Sequence, residues 1–386
     1  MRELALVFLK LGTIAVGGPA AHIAMMRHEF VDRRGWLTGQ EFLDLIGATN
    51  LIPGPNSTEM AIHIGHRRAG WPGLLVAGVC FIVPAAVIVF ALAAAYVRFG
   101  ALPQTRAIFY GVNPVVLAVV AVALWQLLRS AVRAPWHAVV GVLAIAALAR
   151  GVHELAVLAT CGALGAAVVT WQRRHIAPVM TLSGHGWRAL LGVGDGRPAF
   201  VVLGSTAATA SAVTMSGLFL VFFKVGALLF GSGYVLAAFL RADLVHRLGW
   251  LTERQLVDAI AVGQVTPGPV FTTATFVGYV LAGPAGAVVA TVAIFLPAFV
   301  YVAISGPLVP VVRRSRVAAG VLDGVNVASL ALMAVVWCQL GRSAVVDGPT
   351  ALLACGGVIA IVMWRVSPAW LVAGGAAIGL ILLKRS

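Results

Sequence analysis

Asn50-Leu51-Ile52-Pro53-Gly54-Pro55-Asn56-Ser57-Thr58-Glu59 interrupts a long apolar run, and Gln264-Val265-Thr266-Pro267-Gly268-Pro269-Val270-Phe271-Thr272-Thr273 repeats the interruption 214 residues later. Proline lacks the N–H that a helix interior needs and crowds the preceding turn, while glycine permits a sharp reversal. Helix-forming apolar sequence follows both copies at once. Each is therefore expected to be a break followed by a fresh helix N-terminus. Inside a membrane such backbone survives only where protein or water covers it, and transporters use it to build substrate sites.

The surrounding composition places the chain in a bilayer. Of 386 residues 61% are hydrophobic and 10% charged, and mean hydropathy is +0.99. Soluble domains carry about 25% charged residues. Leu74–Val97 and Ala107–Leu128 run without a charge and are long enough for the roughly 30 Å hydrocarbon core. Leu4–Met26 reads as a retained helix, since no small-residue cleavage site follows it. Net charge is +14, but arginines concentrated in short loops (Arg67-Arg68, Arg173-Arg174, Arg313-Arg314) belong to membrane topology and anionic lipid. Lipid is thus the expected surface partner, nucleic acid is not, and a homodimer is compatible with the chain. Cys80, Cys161, Cys338 and Cys355 have no metal-ligand or CxxC spacing and read as small buried residues.

The repeat extends well beyond the breaks. Phe8-Leu9-Lys10-Leu11-Gly12 returns as Phe222-Phe223-Lys224-Val225-Gly226, and Gly35-Trp36-Leu37-Thr38 as Gly249-Trp250-Leu251-Thr252. Asp44 meets Asp258, and after a one-residue gap Ala69-Gly70 meets Ala282-Gly283 and Gly111-Val112-Asn113 meets Gly324-Val325-Asn326. The fold class that follows is all-α and polytopic, with two homologous repeats of about five to six spans. We divide the chain into a first repeat, 1–171, a linker, 172–213, and a second repeat, 214–386. Each repeat opens with a glycine-broken helix (Leu4–Met26; Ser216–Leu240) and a loop whose Thr38 or Thr252 caps the next helix. The Pro-Gly-Pro segment, two long spans and two shorter apolar runs follow. If the broken segment is re-entrant, each repeat crosses five times and the halves are inverted. If it crosses, there are six spans, and only an extra crossing such as Ala199–Ala212 would invert them.

Charge at bilayer depth is costly and marks function by default. Lys10 and Lys224 share one repeat position inside apolar helices, although Lys10 is close enough to Met1 to snorkel. New helix N-termini offer N–H groups and the positive end of the dipole to an anion. The candidate substrate site therefore comprises Pro53, Gly54, Pro55, Asn56, Ser57 and Thr58 at one break and Pro267, Gly268, Pro269, Thr272 and Thr273 at the other. Lys10, Lys224 and the helix-break glycines Gly17, Gly18 and Gly231 complete it. Glu59 and His22, present in one repeat only, are candidate coupling groups, with Asn50 and Gln264 beside the breaks. Capping by Ser and Thr, or an ion pair for Glu59, are the structural alternatives. Asp44 and Asp258 are expected to complement helix dipoles or pair with Arg27 and Arg241, and Asn113 and Asn326 to hydrogen-bond between helices. No zinc pattern or nucleotide-binding loop is present, so no enzymatic activity and no cofactor are expected.

Gly-Gly-Pro-Ala-Ala-His (17–22) and Gly-Ala-Thr-Asn-Leu-Ile-Pro-Gly-Pro-Asn-Ser-Thr-Glu-Met (47–60) resemble the chromate ion transporter family, as do Phe-Gly-Ser-Gly-Tyr (230–234) and Gly-Gln-Val-Thr-Pro-Gly-Pro-Val-Phe-Thr-Thr-Ala-Thr-Phe (263–276). The likeness covers nearly the whole chain, in the long form with two fused domains. It implies an inner-membrane secondary transporter that exports chromate, a tetrahedral dianion shaped like sulfate, and an inverted arrangement of the halves. Ala15-Val16 replaces the family's usual Ser-Phe, and Ser232 a customary glycine. Sulfate transport, a passive anion channel and a membrane chromate reductase are the rival readings, the last disfavoured by the missing cofactor motifs.

Overall fold

The computed structural model describes residues 1–15, 18–100, 102–132, 134–176, 212–230 and 235–383, all of whose regular structure is helical. Gly17, Gly231, Val16, Ser232 and most of the linker, including 199–211, lie outside the described residues. In the first repeat, α1 (Arg2–Ile14) is followed by α2 (Gly18–Arg27), which continues through a π turn, His28–Arg33. Then come α3 (Gly39–Thr49), α4 (Asn56–Phe99), α5 (Pro103–Ala131), α6 (Pro135–Ala149) and α7 (Glu154–Ile176). The second repeat gives α8 (Met215–Leu228), α9 (Leu236–Leu240) with its π turn Arg241–Arg247, α10 (Glu253–Val265) and α11 (Thr273–Arg314). It ends with α12 (Arg316–Ala344), α13 (Gly348–Trp364) and α14 (Pro368–Leu383).

Two local devices shape each repeat. Thr38 and Thr252 close reciprocal capping boxes with Glu41 and Gln255 at the starts of α3 and α10, satisfying orphan donors there. Further on, α4 and α11 each fold back on themselves at Ala69-Gly70 and Ala282-Gly283. Gly70 and Gly283 adopt φ of 61° and 64°, a region open to glycine at no steric cost. The limbs meet through glycine: a Cβ on Gly65 would collide with the Gly73 carbonyl, and one on Gly278 with that of Gly286. The short limb of α4, 56–68, is therefore antiparallel to the long limb, 71–99.

The same reversal governs the segments before it. Arg67 donates to Glu41 at 2.7 Å, and the Arg68 guanidinium lies 4.9 Å from the Trp36 ring. The base of α3 and the end of the short limb thus share one face, with Pro53-Gly54-Pro55 at the far tip. With 11 residues, α3 is about 16 Å long, too short to cross. The Pro-Gly-Pro segment is re-entrant. Leu4–Met26, expected as one span, folds back too: Arg34 pairs with Glu3, and the Phe8 and Phe30 rings are 5.1 Å apart. The cause is the break before Gly18, whose φ is 79°. Each repeat therefore presents two re-entrant hairpins before its long passages begin.

The halves are inverted. The long limb of α4 leaves the face that carries Trp36 and Arg67 and ends at Phe99. There Gly100 and Arg106 share a cavity with Arg254 and Asp258, at the base of the second repeat's hairpin. The hairpins of the two repeats therefore enter from opposite faces. The last helix pairs are exchanged: α7 lies antiparallel along α12, and α14 along α5. Gly111 meets Gly375 and Ala107 meets Gly379, while Gly165 meets Gly320 and Cys161 meets Gly324, all at backbone contact. Small residues four apart permit this close approach, as in membrane helix dimers. Parity differs from the sequence expectation, because each repeat has four helical passages after its hairpins. Among the described residues five of these are long and apolar enough to cross a membrane, and α6, α13 and α14 are shorter, with 15, 17 and 16 residues. Inversion then places Ile176 and Met215 at opposite faces.

Candidate functional site

The four hairpin tips meet near the middle of the long limbs. A Cβ on Gly12 would sit 2.6 Å from the Phe81 carbonyl oxygen, and one on Gly268 2.6 Å from Ala85, about halfway along 71–99. Proline on both sides leaves the central glycine as the donor of each Pro-Gly-Pro turn. Gly54 N–H donates to the Leu229 carbonyl at 2.8 Å, and Gly268 N–H donates to the Ala15 carbonyl at 2.8 Å. Leu229 and Ala15 end α8 and α1. Each Pro-Gly-Pro tip is thus tied to the other repeat's first hairpin, and the two ties are related by the repeat. Gly54 and Gly268 reach these positions with φ of 137° and 86°.

The chemistry around the two turns differs. Glu59 is fully buried, and a Cβ on Gly54 would collide with its Oε1. The carboxyl therefore lies over the turn, and neither oxygen meets a hydrogen-bond donor among the described residues. The ion pair with Arg or Lys considered from sequence is not formed there. One turn further on the same face, buried His63 has an Nε2 with no hydrogen-bond partner among the described residues, and the same holds for the Thr58 hydroxyl. Asn56 donates to Asn50 across the turn at 3.0 Å, and Ser57 is buried beside them. His22 donates from Nε2 to the Ala15 carbonyl at 3.0 Å, the same oxygen that receives Gly268. In the second repeat the hydroxyls of Thr272 and Thr273 turn back onto the carbonyls of Pro269 and Val270, both at 2.8 Å. Gln264 and Thr273 reach a narrow cavity of about 40 Å³ that also holds Asn113.

Other candidates are placed elsewhere. Lys224 forms an ion pair with Asp243, which also binds Arg247 at 2.8 Å. Lys10 lies exposed on α1, and the residue matching Asp243, Glu29, is taken by Arg33 and Arg34 at 3.1 and 2.6 Å. Equal positions in sequence thus acquire unequal partners. Asp258 does not pair with Arg241, whose guanidinium binds Glu253 and Gln339. Instead it accepts from the Tyr96 hydroxyl at 2.8 Å and the Asn113 amide at 2.9 Å. The interhelical role expected of Asn113 is realised in this bond. His63 was legible only as a histidine four residues after Glu59, a spacing that shares a helix face.

Inverted helical repeats with re-entrant tips meeting at mid-depth define a multi-pass membrane transporter scaffold. The chromate transporter family profile matches residues 2–166 and 216–380, and the chain belongs to that family. It is 32% identical to the chromate transport protein of Cupriavidus metallidurans over 385 residues, 99% of this chain and 93% of that one. It is 34% identical to the chromate transport protein of Pseudomonas aeruginosa, covering 82% and 76% of the two chains. To the probable chromate transport protein of Synechococcus elongatus it is 30% identical, covering 95% and 90%. No solved structure matches.

Proposed function

We propose that this protein is a secondary active transporter that exports chromate across the bacterial inner membrane, driven by the proton gradient or the membrane potential. The working unit is the pair of repeats, 1–171 and 214–386, joined by the linker 172–213. The observation that carries the reading is the crossed pair of glycine bonds, Gly54 to Leu229 and Gly268 to Ala15. They gather the helix N-termini of both repeats at the depth where a substrate must be held to face each side in turn. Such N-termini favour a dianion through their N–H groups and dipoles. Because each bond joins one repeat to the other, rocking of the repeats would remake the site on alternate faces. The relatives' printed names supply chromate as the first substrate, and sulfate shares its shape and charge.

In this reading Pro53 to Thr58 and Pro267 to Thr273 hold the anion, with Gly18 shaping the neighbouring tip. Glu59 binds the coupled proton, because a buried carboxyl without a cation or donor offers a site for one. His22 braces the Ala15 carbonyl, and Asn50 and Gln264 gate the two turns. Lys10 and Lys224 act at longer range, since Lys224 is committed to Asp243. The test is uptake of labelled chromate into everted proteoliposomes, with and without a pH gradient and with sulfate as competitor. Saturable uptake against a concentration gradient is expected. Flux that only ever runs downhill would replace the transporter with a channel, and preference for sulfate would change the substrate.

A further inference from the structure

The tips are nearly symmetric, but the approaches to them are not. At the face where α4 ends and α10 begins, an open cavity of about 220 Å³ is lined by Tyr96, Gly100, Arg106, Phe109, Arg254 and Asp258. Arg106 comes from the first repeat and Arg254 from the second. Both are exposed, and neither has an ion-pair partner among the described residues. At the floor, both oxygens of Asp258 are occupied by donors from Tyr96 and Asn113. Asn113 also lines the inner cavity that reaches Gln264 and Thr273 beside the second Pro-Gly-Pro turn. One amide side chain therefore joins the outer space to the inner one.

The repeat relation shows what is special here. The positions matching Arg106, Arg254 and Tyr96 are Ala319, Gln40 and Val309. Asp44, which matches Asp258, accepts from Gln40 at 3.4 Å. The other face has its own two-arginine cavity, with Arg67 and Arg68, but there Arg67 is paired with Glu41 and Arg68 stacks on Trp36, so the guanidinium groups without such partners are those of Arg106 and Arg254.

We propose that this cavity is a one-sided docking vestibule for a tetrahedral divalent oxyanion, held between Arg106 and Arg254 before or after it occupies the tips. The inference rests on the oxyanion reading above. Guanidinium groups match the edges of a tetrahedral oxyanion, and the two arginines outnumber the single carboxylate of Asp258 in the cavity wall, so the mouth carries a net positive charge that attracts an anion. Asp258 prevents the anion from settling deeper, and its bonds to Tyr96 and Asn113 must rearrange for inward passage. A lipid phosphate headgroup offers the same chemistry, but Asp258 in this cavity is hydrogen-bonded to Asn113, which lines the separate inner cavity beside Gln264 and Thr273, and the free ion is the occupant chosen.

The test is calorimetric titration of the purified full-length protein with sodium sulfate, and separately with sodium chromate, at low ionic strength. Arg106→Gln, Arg254→Gln and the double variant are compared with the wild type and with Arg150→Gln, an exposed arginine on another loop. The expected result is a dissociation constant raised about threefold in each single variant and about tenfold in the double, with a flatter salt dependence and an unchanged melting temperature. A double variant within twofold of the wild type, or an equal loss in Arg150→Gln, overturns the vestibule. So does a wild type that binds neither oxyanion. Repeating the titration in nanodiscs separates the sources: loss of sulfate binding on adding anionic lipid assigns the site to headgroups and overturns the free-ion proposal. Oxyanion binding that depends on both arginines in a protein that moves no chromate would sink the transport reading alone.

Discussion

Gly54 occupies a backbone conformation, φ 137°, that an L-residue adopts only under strain, and its missing side chain leaves the space filled by the Glu59 carboxyl. Gly54→Ala is expected to cost about 1–3 kcal/mol from backbone strain and to displace Glu59 as well. Gly70→Ala, with φ 61° and ψ −148° and nothing within 4 Å of its Cβ, faces backbone strain alone, about 1–3 kcal/mol. Thermal unfolding in detergent should rank them in that order, and chromate flux should fail in the first while surviving in the second. Glu59→Gln keeps the shape and removes the proton site. Its expected signature is chromate–chromate exchange that persists while the response to a pH gradient is lost. At the mouth of the hairpin, Glu41 is held at about 2, first by the Thr38 backbone N–H and then by Arg67 and the Thr38 hydroxyl. A carboxyl whose folded pKa is depressed contributes stability above its unfolded value, and loses it as pH falls through the folded one. The α3 cap should therefore hold down to about pH 4.5 and weaken from there towards pH 2, as amide exchange at Glu41 would report.

The hairpins show what a linear sequence reveals about elements and what it hides. Pro-Gly-Pro announced its own break, because two prolines and a glycine forbid a continuous helix whatever surrounds them. Thr38 and Thr252 announced their caps for the same local reason. The reversal at Ala69-Gly70 was visible only as a matched pair, since a lone glycine in an apolar helix is ordinarily tolerated. Leu4–Met26 was read as one span because its hydrophobic length is sufficient, and length cannot distinguish a crossing from two short limbs folded together. Partners such as Asp258 with Tyr96, more than a hundred residues apart, depend on how the repeats interlock. The interlock is itself testable. A Cβ at Gly111 or Gly324 would collide with the backbone of the exchanged helix, so Gly111→Ala and Gly324→Ala should each cost about 1–3 kcal/mol by overpacking. Gly356→Ala, with open space around it, should leave the melting temperature unchanged.

At the scale of the whole molecule, the inverted arrangement turns one duplicated sequence into two faces with different chemistry. The buried titratable groups Glu59, His63 and His22 have Thr273, Val277 and Leu236 as their matches, so the buried titratable groups around the tips are concentrated in the first repeat. Arg106 and Arg254 instead share one cavity at the base of the second repeat's hairpin. A symmetric frame with unequal side chains can open to both sides by the same motion and yet bind differently on each. Inversion predicts where a membrane-impermeant reagent will act. In a background with Cys80, Cys161, Cys338 and Cys355 replaced by alanine or serine, single cysteines at Arg34 or Arg67 should label from one side of right-side-out vesicles. Cysteines at Arg106 or Arg254 should label from the other. All four positions reacting from the same side would mean parallel halves. The crossed glycine bonds would then lose their geometry, because hairpins that enter from one face cannot meet tip to tip. Opposed labelling would instead tie the two turns to a shared centre, where an ion is exposed to either face without the site itself moving across the membrane.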